Sequence, residues 1–110
     1  MGPEKSPYVF RASEAPLMQA SPSLKMKEAD MGGGMTVRYQ ERMPGPSNTG
    51  PWCETGHTAY IIAGRLRYEF FDHDVEIGPG DIVHIPAGHA HRHRPHVTGD
   101  VAVKYFITEF

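Results

Sequence analysis

Five of the seven histidines in this chain fall within residues 80–96, in the run GDIVHIPAGHAHRHRPH. Imidazole changes charge near neutral pH and is the side chain most used to bind transition metals. Such a run can supply metal ligands, a proton relay, a pH switch or a solvated loop, and the residues between the histidines decide among these. Gly80 closes a tight turn after Pro79, residues 81–85 read as a strand, and Pro86, which lacks an N–H, ends its ladder. PAGHAH is then a second turn, and the chain is expected to re-enter a strand near His91. In that strand His89, His91 and His93 share one parity and face one side, whereas His84 and His96 belong to the other parity or to loops. At most three of the five converge on one point, and the rest are expected at the surface. The single thiol, Cys53, excludes an internal disulfide and stands available as a ligand or nucleophile.

The elements that must position these groups read as short strands. LKMKEA alternates apolar and polar residues, MGGGM is a turn, and MTVRYQ sets Met35, Val37 and Tyr39 on one face against Thr36, Arg38 and Gln40 on the other. A Pro/Gly/Ser/Asn loop covers residues 43–51. TAYIIA is a strand that Gly64 interrupts, RLRYEF places Leu66, Tyr68 and Phe70 on one face, and HDVEI, IVHIP and VAVKYFITEF follow. No stretch carries a helical period with caps. Many short strands at spacings near ten residues predict an all-β sandwich or barrel. Trp52, Tyr60, Tyr68 and Phe70 are assigned to its packing, and Arg65 and Arg67 to its solvent face. Residues 1–22, with four prolines, read as an extended arm with one short paired segment at YVFR, ahead of a domain over residues 23–110.

Composition bounds the function. A chain of 110 residues makes one domain with a modest core. Its formal charge of -2, with basic residues scattered, leaves no nucleic-acid footprint. No apolar run approaches the ~18 residues of a membrane span. The opening MGPEKSPYVFRASEAP lacks the apolar segment of a secretory signal, so a cytoplasmic location is expected.

Gly80, Pro86, Gly88 and His91 stand at the spacing of the second motif of the cupin superfamily, Gly-x5-Pro-x-Gly-x2-His, with Pro95 where that motif usually has Asn. The first cupin motif, Gly-x5-His-x-His-x3,4-Glu-x6-Gly, aligns when its last glycine is set on Gly64. Gly45 then takes the opening position, Pro51 and Cys53 the two histidine positions, and His57 the glutamate position. The spacing resembles the family's while the ligand types differ. The resemblance covers residues 45–91 and implies a jelly-roll barrel, the antiparallel double-stranded β-helix.

In metal-binding cupins these positions hold one divalent ion inside the barrel, so the resemblance implies Cys53, His57 and His91 as metal ligands. His89, directly after Pro-x-Gly, is the alternative second-motif ligand, because some short cupins with a Cys-x3-His first motif place it there. A thiolate with two imidazoles favours zinc, with iron, nickel or manganese as other candidates. Three protein ligands leave a coordination position for water or substrate. The function then expected is a metal-dependent enzyme, an isomerase, lyase or related Lewis-acid catalyst acting on a small polar molecule. His89 or His93 would move the proton. The alternatives are a small-molecule sensor without catalytic metal and an iron-dependent dioxygenase. A homodimer is expected from the edge strand that the N-terminal arm leads into.

Overall fold

The structure is a computed structural model, and it describes residues 8–45 and 50–110. Nine strands follow one another: β1 (Met18–Ser21), β2 (Leu24–Gly32), β3 (Met35–Arg42), β4 (His57–Ala63), β5 (Leu66–Phe70), β6 (Asp74–Ile77), β7 (Ile82–Ile85), β8 (His93–Val97) and β9 (Val103–Glu109). All pairings are antiparallel. Six strands make one sheet in the order β1-β2-β3-β9-β4-β7, and three make the other in the order β6-β5-β8. No α-helix occurs among the described residues. This is the all-β architecture expected from the strand spacing, and it fits the jelly roll that the motif resemblance implies.

The two sheets share one core. Ala59 and Ile61 of β4, Ile85 of β7 and Val103, Tyr105 and Ile107 of β9 meet Leu66 and Tyr68 of β5 and Ile77 of β6. These residues alternate along their strands, so the period of two in the sequence is the period of burial. Gly64 ends β4 with φ +84, and a Cβ there would meet the Ala102 carbonyl oxygen at 2.6 Å. Only glycine suits both the dihedral and the close approach to the strand entering β9.

The segment ahead of residue 23 is partly built into the sheet. Its strand is β1, at the sheet edge against β2, rather than YVFR. A 3-10 turn over Ala12–Glu14 precedes it, tied down by Lys27 Nζ donating to the Ala12 carbonyl oxygen at 2.9 Å. The first seven residues of the expected arm, and residues 46–49 of the expected loop, lie outside the described residues.

β3 runs against the usual pattern. Its inward residues are Arg38, Gln40 and Arg42, which line a cavity, and its apolar Val37 and Tyr39 face outward. Outer residues of β4 and β9 are apolar as well. Tyr60, Ile62 and Phe106 are exposed there, so Tyr60 is not the barrel-packing residue its sequence setting implied.

A candidate metal centre of Cys53, His57 and His93

β8 begins at His93, two residues later than expected. Gly88, with φ +124, turns the chain into a 3-10 turn over His89–His91, and a turn does not preserve strand parity. His93 is the first residue of the strand. Its register partner is Phe70, with Pro95 opposite Tyr68 and Val97 opposite Leu66, which sets His93, Pro95 and Val97 on the inner face. The main chains of Cys53 and His93 exchange two hydrogen bonds, Cys53 N–H to the His93 carbonyl at 2.7 Å and His93 N–H to the Cys53 carbonyl at 3.0 Å. Residues so paired project their side chains to the same side. His57 opens β4, in register with Glu109 at the end of β9.

Cys53, His57 and His93 thereby offer three ligand atoms that all lie within 4.8 Å of one another. Cys53 Sγ stands 3.4 Å from His57 Nε2. A tetrahedral zinc ion with ordinary Zn–S and Zn–N distances would hold such a pair about 3.5 Å apart. His93 donates from Nδ1 to the His91 carbonyl oxygen at 3.0 Å, which leaves Nε2 as its acceptor nitrogen. That Nε2 is buried without a hydrogen-bond partner. The two imidazole rings meet edge to face, 4.9 Å between centroids. The donor set, the spacing and the unpartnered nitrogen all fit a divalent metal of borderline softness.

Electrostatics prepare the imidazoles as neutral ligands. Burial lowers the His57 pKa to about 4, with His93, Arg38 and Arg42 adding repulsion for a proton. Burial also lowers that of His93, against the raising effects of the His91 carbonyl and Glu109. Glu109 Oε1 lies 3.7 Å from His57 Nδ1 and accepts a hydrogen bond from Arg38 Nη1 at 2.6 Å. It is placed to orient His57 from behind.

The cluster opens on a cavity of about 440 Å³, within the size range of small-molecule sites. Arg38, Gln40, Arg42, Glu54, Tyr68, Tyr105 and Glu109 line it with Cys53, His57 and His93. Arg42 Nε donates to the Tyr105 hydroxyl at 3.3 Å. Burial pushes the phenols of Tyr68 and Tyr105 up, so both stay protonated.

Cys53 and His57 come together as their spacing implied, while His91 does not join them. It lies exposed in the 3-10 turn, and His93 occupies the place in the cluster that the second-motif spacing assigned to His91. His89, the alternative ligand, sits exposed in the same turn, with Nδ1 3.1 Å from Glu54 Oε2. His84 bonds to Thr58 Oγ1 on the outer face, and His96 bonds to Glu69. Trp52 stands at the cavity edge under the Arg94 guanidinium, 4.3 Å from its ring centroid. Sequence reasoning missed Arg38, Gln40, Arg42 and Glu109. The one available signal was the shared parity of Arg38 and Gln40.

The cupin-domain family model matches residues 38–108. No curated protein sequence matches the chain. Among solved structures it is similar to a predicted oxalate decarboxylase from Thermotoga maritima (TM-score 0.75, 18% identity, 93% of this chain and 97% of that one). It is also similar to the cupin domain of Cnp3 from Schizosaccharomyces pombe (TM-score 0.73, 14% identity, 93% and 72%). The polyketide cyclase RemF from Streptomyces resistomycificus is similar too (TM-score 0.70, 16% identity, 92% and 77%). At these identities the likeness is one of fold.

Proposed function

The chain belongs to the cupin family, and on that premise we propose that it is a metal-dependent enzyme acting on a small polar molecule in the barrel cavity. One observation carries this reading: Cys53, His57 and His93 gather three ligand atoms at the wall of a cavity, with a buried His93 nitrogen that has no partner. Zinc suits the thiolate and two imidazoles best. When bound, the ion would supply Lewis acidity to a carbonyl or carboxylate oxygen of the substrate.

The chain's own residues would do the rest. His57 and His93, kept neutral by burial, hold ligand lone pairs without first losing a proton. Glu109, bridged by Arg38, keeps His57 oriented. Glu54 lines the cavity and His89 backs it from solvent, so the Glu54–His89 pair can carry a proton between substrate and bulk water. In this reading His89 would move the proton through Glu54, and His93 would serve as a ligand rather than as the proton carrier.

The test is the metal content of protein purified without added metal and without a histidine tag. Stoichiometric zinc supports the reading. Protein that stays empty even after incubation with zinc would instead make this a small-molecule binding module.

The expected homodimer belongs to the same proposal, over the outer face of the larger sheet rather than along its edge strand. Ile82, Tyr60, Phe106 and Tyr39 form one cross-strand row over the outer face of the larger sheet, and the first three are exposed. A second copy covering that row would remove this apolar area from water. Light scattering at micromolar concentration should give twice the chain mass, and Phe106→Glu should return it to the mass of one chain.

A further inference from the structure

Polar side chains turned into a small barrel are costly unless something bonds to them there. Four charged groups line the cavity among the described residues, Arg38, Arg42, Glu54 and Glu109, and each has a partner within the fold. Two neutral groups on the same walls do not. Gln40 of β3 is 4% exposed and Tyr68 of β5 is 3% exposed, and both line the cavity. Among the described residues, neither the Gln40 amide nor the Tyr68 hydroxyl is hydrogen-bonded to protein.

The two groups come from opposite sheets, Gln40 from the larger and Tyr68 from the smaller. The Tyr68 ring stands 5.6 Å from the His93 ring between centroids. Burial keeps its phenol protonated, and Tyr105, Arg42, Cys53 and Glu109 all act on it. The hydroxyl therefore shares one space with the ligand cluster. Its chemistry and that of Gln40 define what would complete them. A carboxamide presents an acceptor and an N–H donor side by side, and a protonated phenol donates one hydrogen bond. The group complementary to Gln40 also has an N–H and a C=O side by side, as a cis amide does. The carbonyl oxygen of that amide keeps a second lone pair for the Tyr68 O–H. The arginines are already partnered, so the pair has no need of an anion.

We propose that Gln40 and Tyr68 are the recognition pair of this cavity, and that its ligand is a neutral cyclic amide. Gln40 would form a two-bond amide pair with it, and the Tyr68 O–H would donate to its carbonyl oxygen. This names the substrate class of the proposed function. It rests on that reading only for the metal, whereas the amide pocket stands on β3 and β5.

The experiment is NMR titration of δ-valerolactam, N-methyl-δ-valerolactam and cyclohexanone into metal-free and zinc-loaded protein. The last two keep the ring and the carbonyl, lack the N–H and are more apolar, so an unspecific apolar cavity would prefer them. δ-Valerolactam should bind both forms of the protein, at least about tenfold more tightly than either analogue. Gln40→Met should abolish that preference. Tyr68→Phe should weaken all three compounds alike and keep their ranking, because it removes a donor to the carbonyl that they share. Both substitutions should leave the urea midpoint of the ligand-free protein unchanged or raise it, since each removes a buried polar group that the fold does not bond.

A lactam that does not bind wild type, an analogue that binds as tightly, or full preference in Gln40→Met would each overturn the pocket. A clearly lower midpoint, or a variant that fails to fold, would mean that the fold itself uses the group, and would overturn its assignment to a ligand. Protein that takes up no zinc yet prefers the lactam through Gln40 would refute the metal reading and leave the amide pocket standing. Stoichiometric zinc with no lactam preference would do the reverse.

Discussion

Following the inner face of each strand from one end of the barrel to the other passes from chemistry to hydrocarbon. On β4 the inward residues run His57, Ala59, Ile61; on β9, from its end, Glu109, Ile107, Tyr105, Val103; on β8, His93, Pro95, Val97. At the apolar end Ile61, Leu66 and Val103 are fully buried, and they are the anchor of the fold. At the ligand end two buried imidazole nitrogens lack partners, and a carboxylate and a thiol share the same small space. Unpartnered buried polar atoms weigh against stability, so the two ends serve opposing purposes. The apolar end supplies the stability that lets the ligand end stay unsatisfied.

The sharpest way to break that division is from the apolar end. Leu66→Ala removes a side chain with no exposure and should lower the unfolding free energy by about 2–5 kcal/mol. Urea denaturation reads this as a lower midpoint at unchanged slope. Zinc content per folded molecule should not change, because none of the three ligands belongs to β5. A variant that kept its stability but lost its metal would contradict the separation.

From the ligand end the expected effect depends on acid. With His57 lowered to about 4 when folded and near ~6.5 when unfolded, the unfolded chain takes up this proton first as pH falls. The metal-free protein should therefore be steady above about pH 7 and lose stability as pH drops from ~6.5 toward 4. This group's share should reach about 3 kcal/mol at the low end, and the loss at His93 runs in the same direction. Urea midpoints measured across this range should fall with pH in wild type and fall less in His57→Gln. Equal slopes in the two proteins would mean that His57 is not held neutral by burial. Zinc competes with the same protons, so bound metal should be released on the acid side as well.

The apolar end was the legible part. Leu66 and Tyr68 were set on one face by alternation alone, and Gly64 and Gly80 take the positive φ angles that their turns require. The ligand end was legible as far as Cys53 and His57, through their place in the first-motif spacing. Two things were hidden. A period of two says which residues share a face and not which face is inner, so the polar side of β3 could not be recognised as the cavity wall. Parity also has to be counted from the start of a strand. The 3-10 turn after Gly88 moved that start from His91 to His93, and with it the histidine that joins the cluster.

That shift gives the smallest and most discriminating effect. His91 and His93 are two residues apart and chemically identical, but His91 is exposed in the turn and His93 is among the most buried side chains of the chain. His91 touches the site only through its main-chain carbonyl, which accepts the bond from His93 Nδ1. Replacing its side chain leaves that carbonyl in place. His91→Ala should thus keep full zinc content and change stability by no more than about 0.5 kcal/mol, as surface substitutions do. His93→Ala and Cys53→Ala each remove one of three donors. Each should weaken zinc by more than the roughly 10–100-fold that the loss of an outer orienting partner costs. Zinc content and affinity measured for the three variants in parallel decide the point. If His91→Ala lost its metal while His93→Ala kept it, the second-motif spacing would have named the ligand and the strand register would have misplaced it.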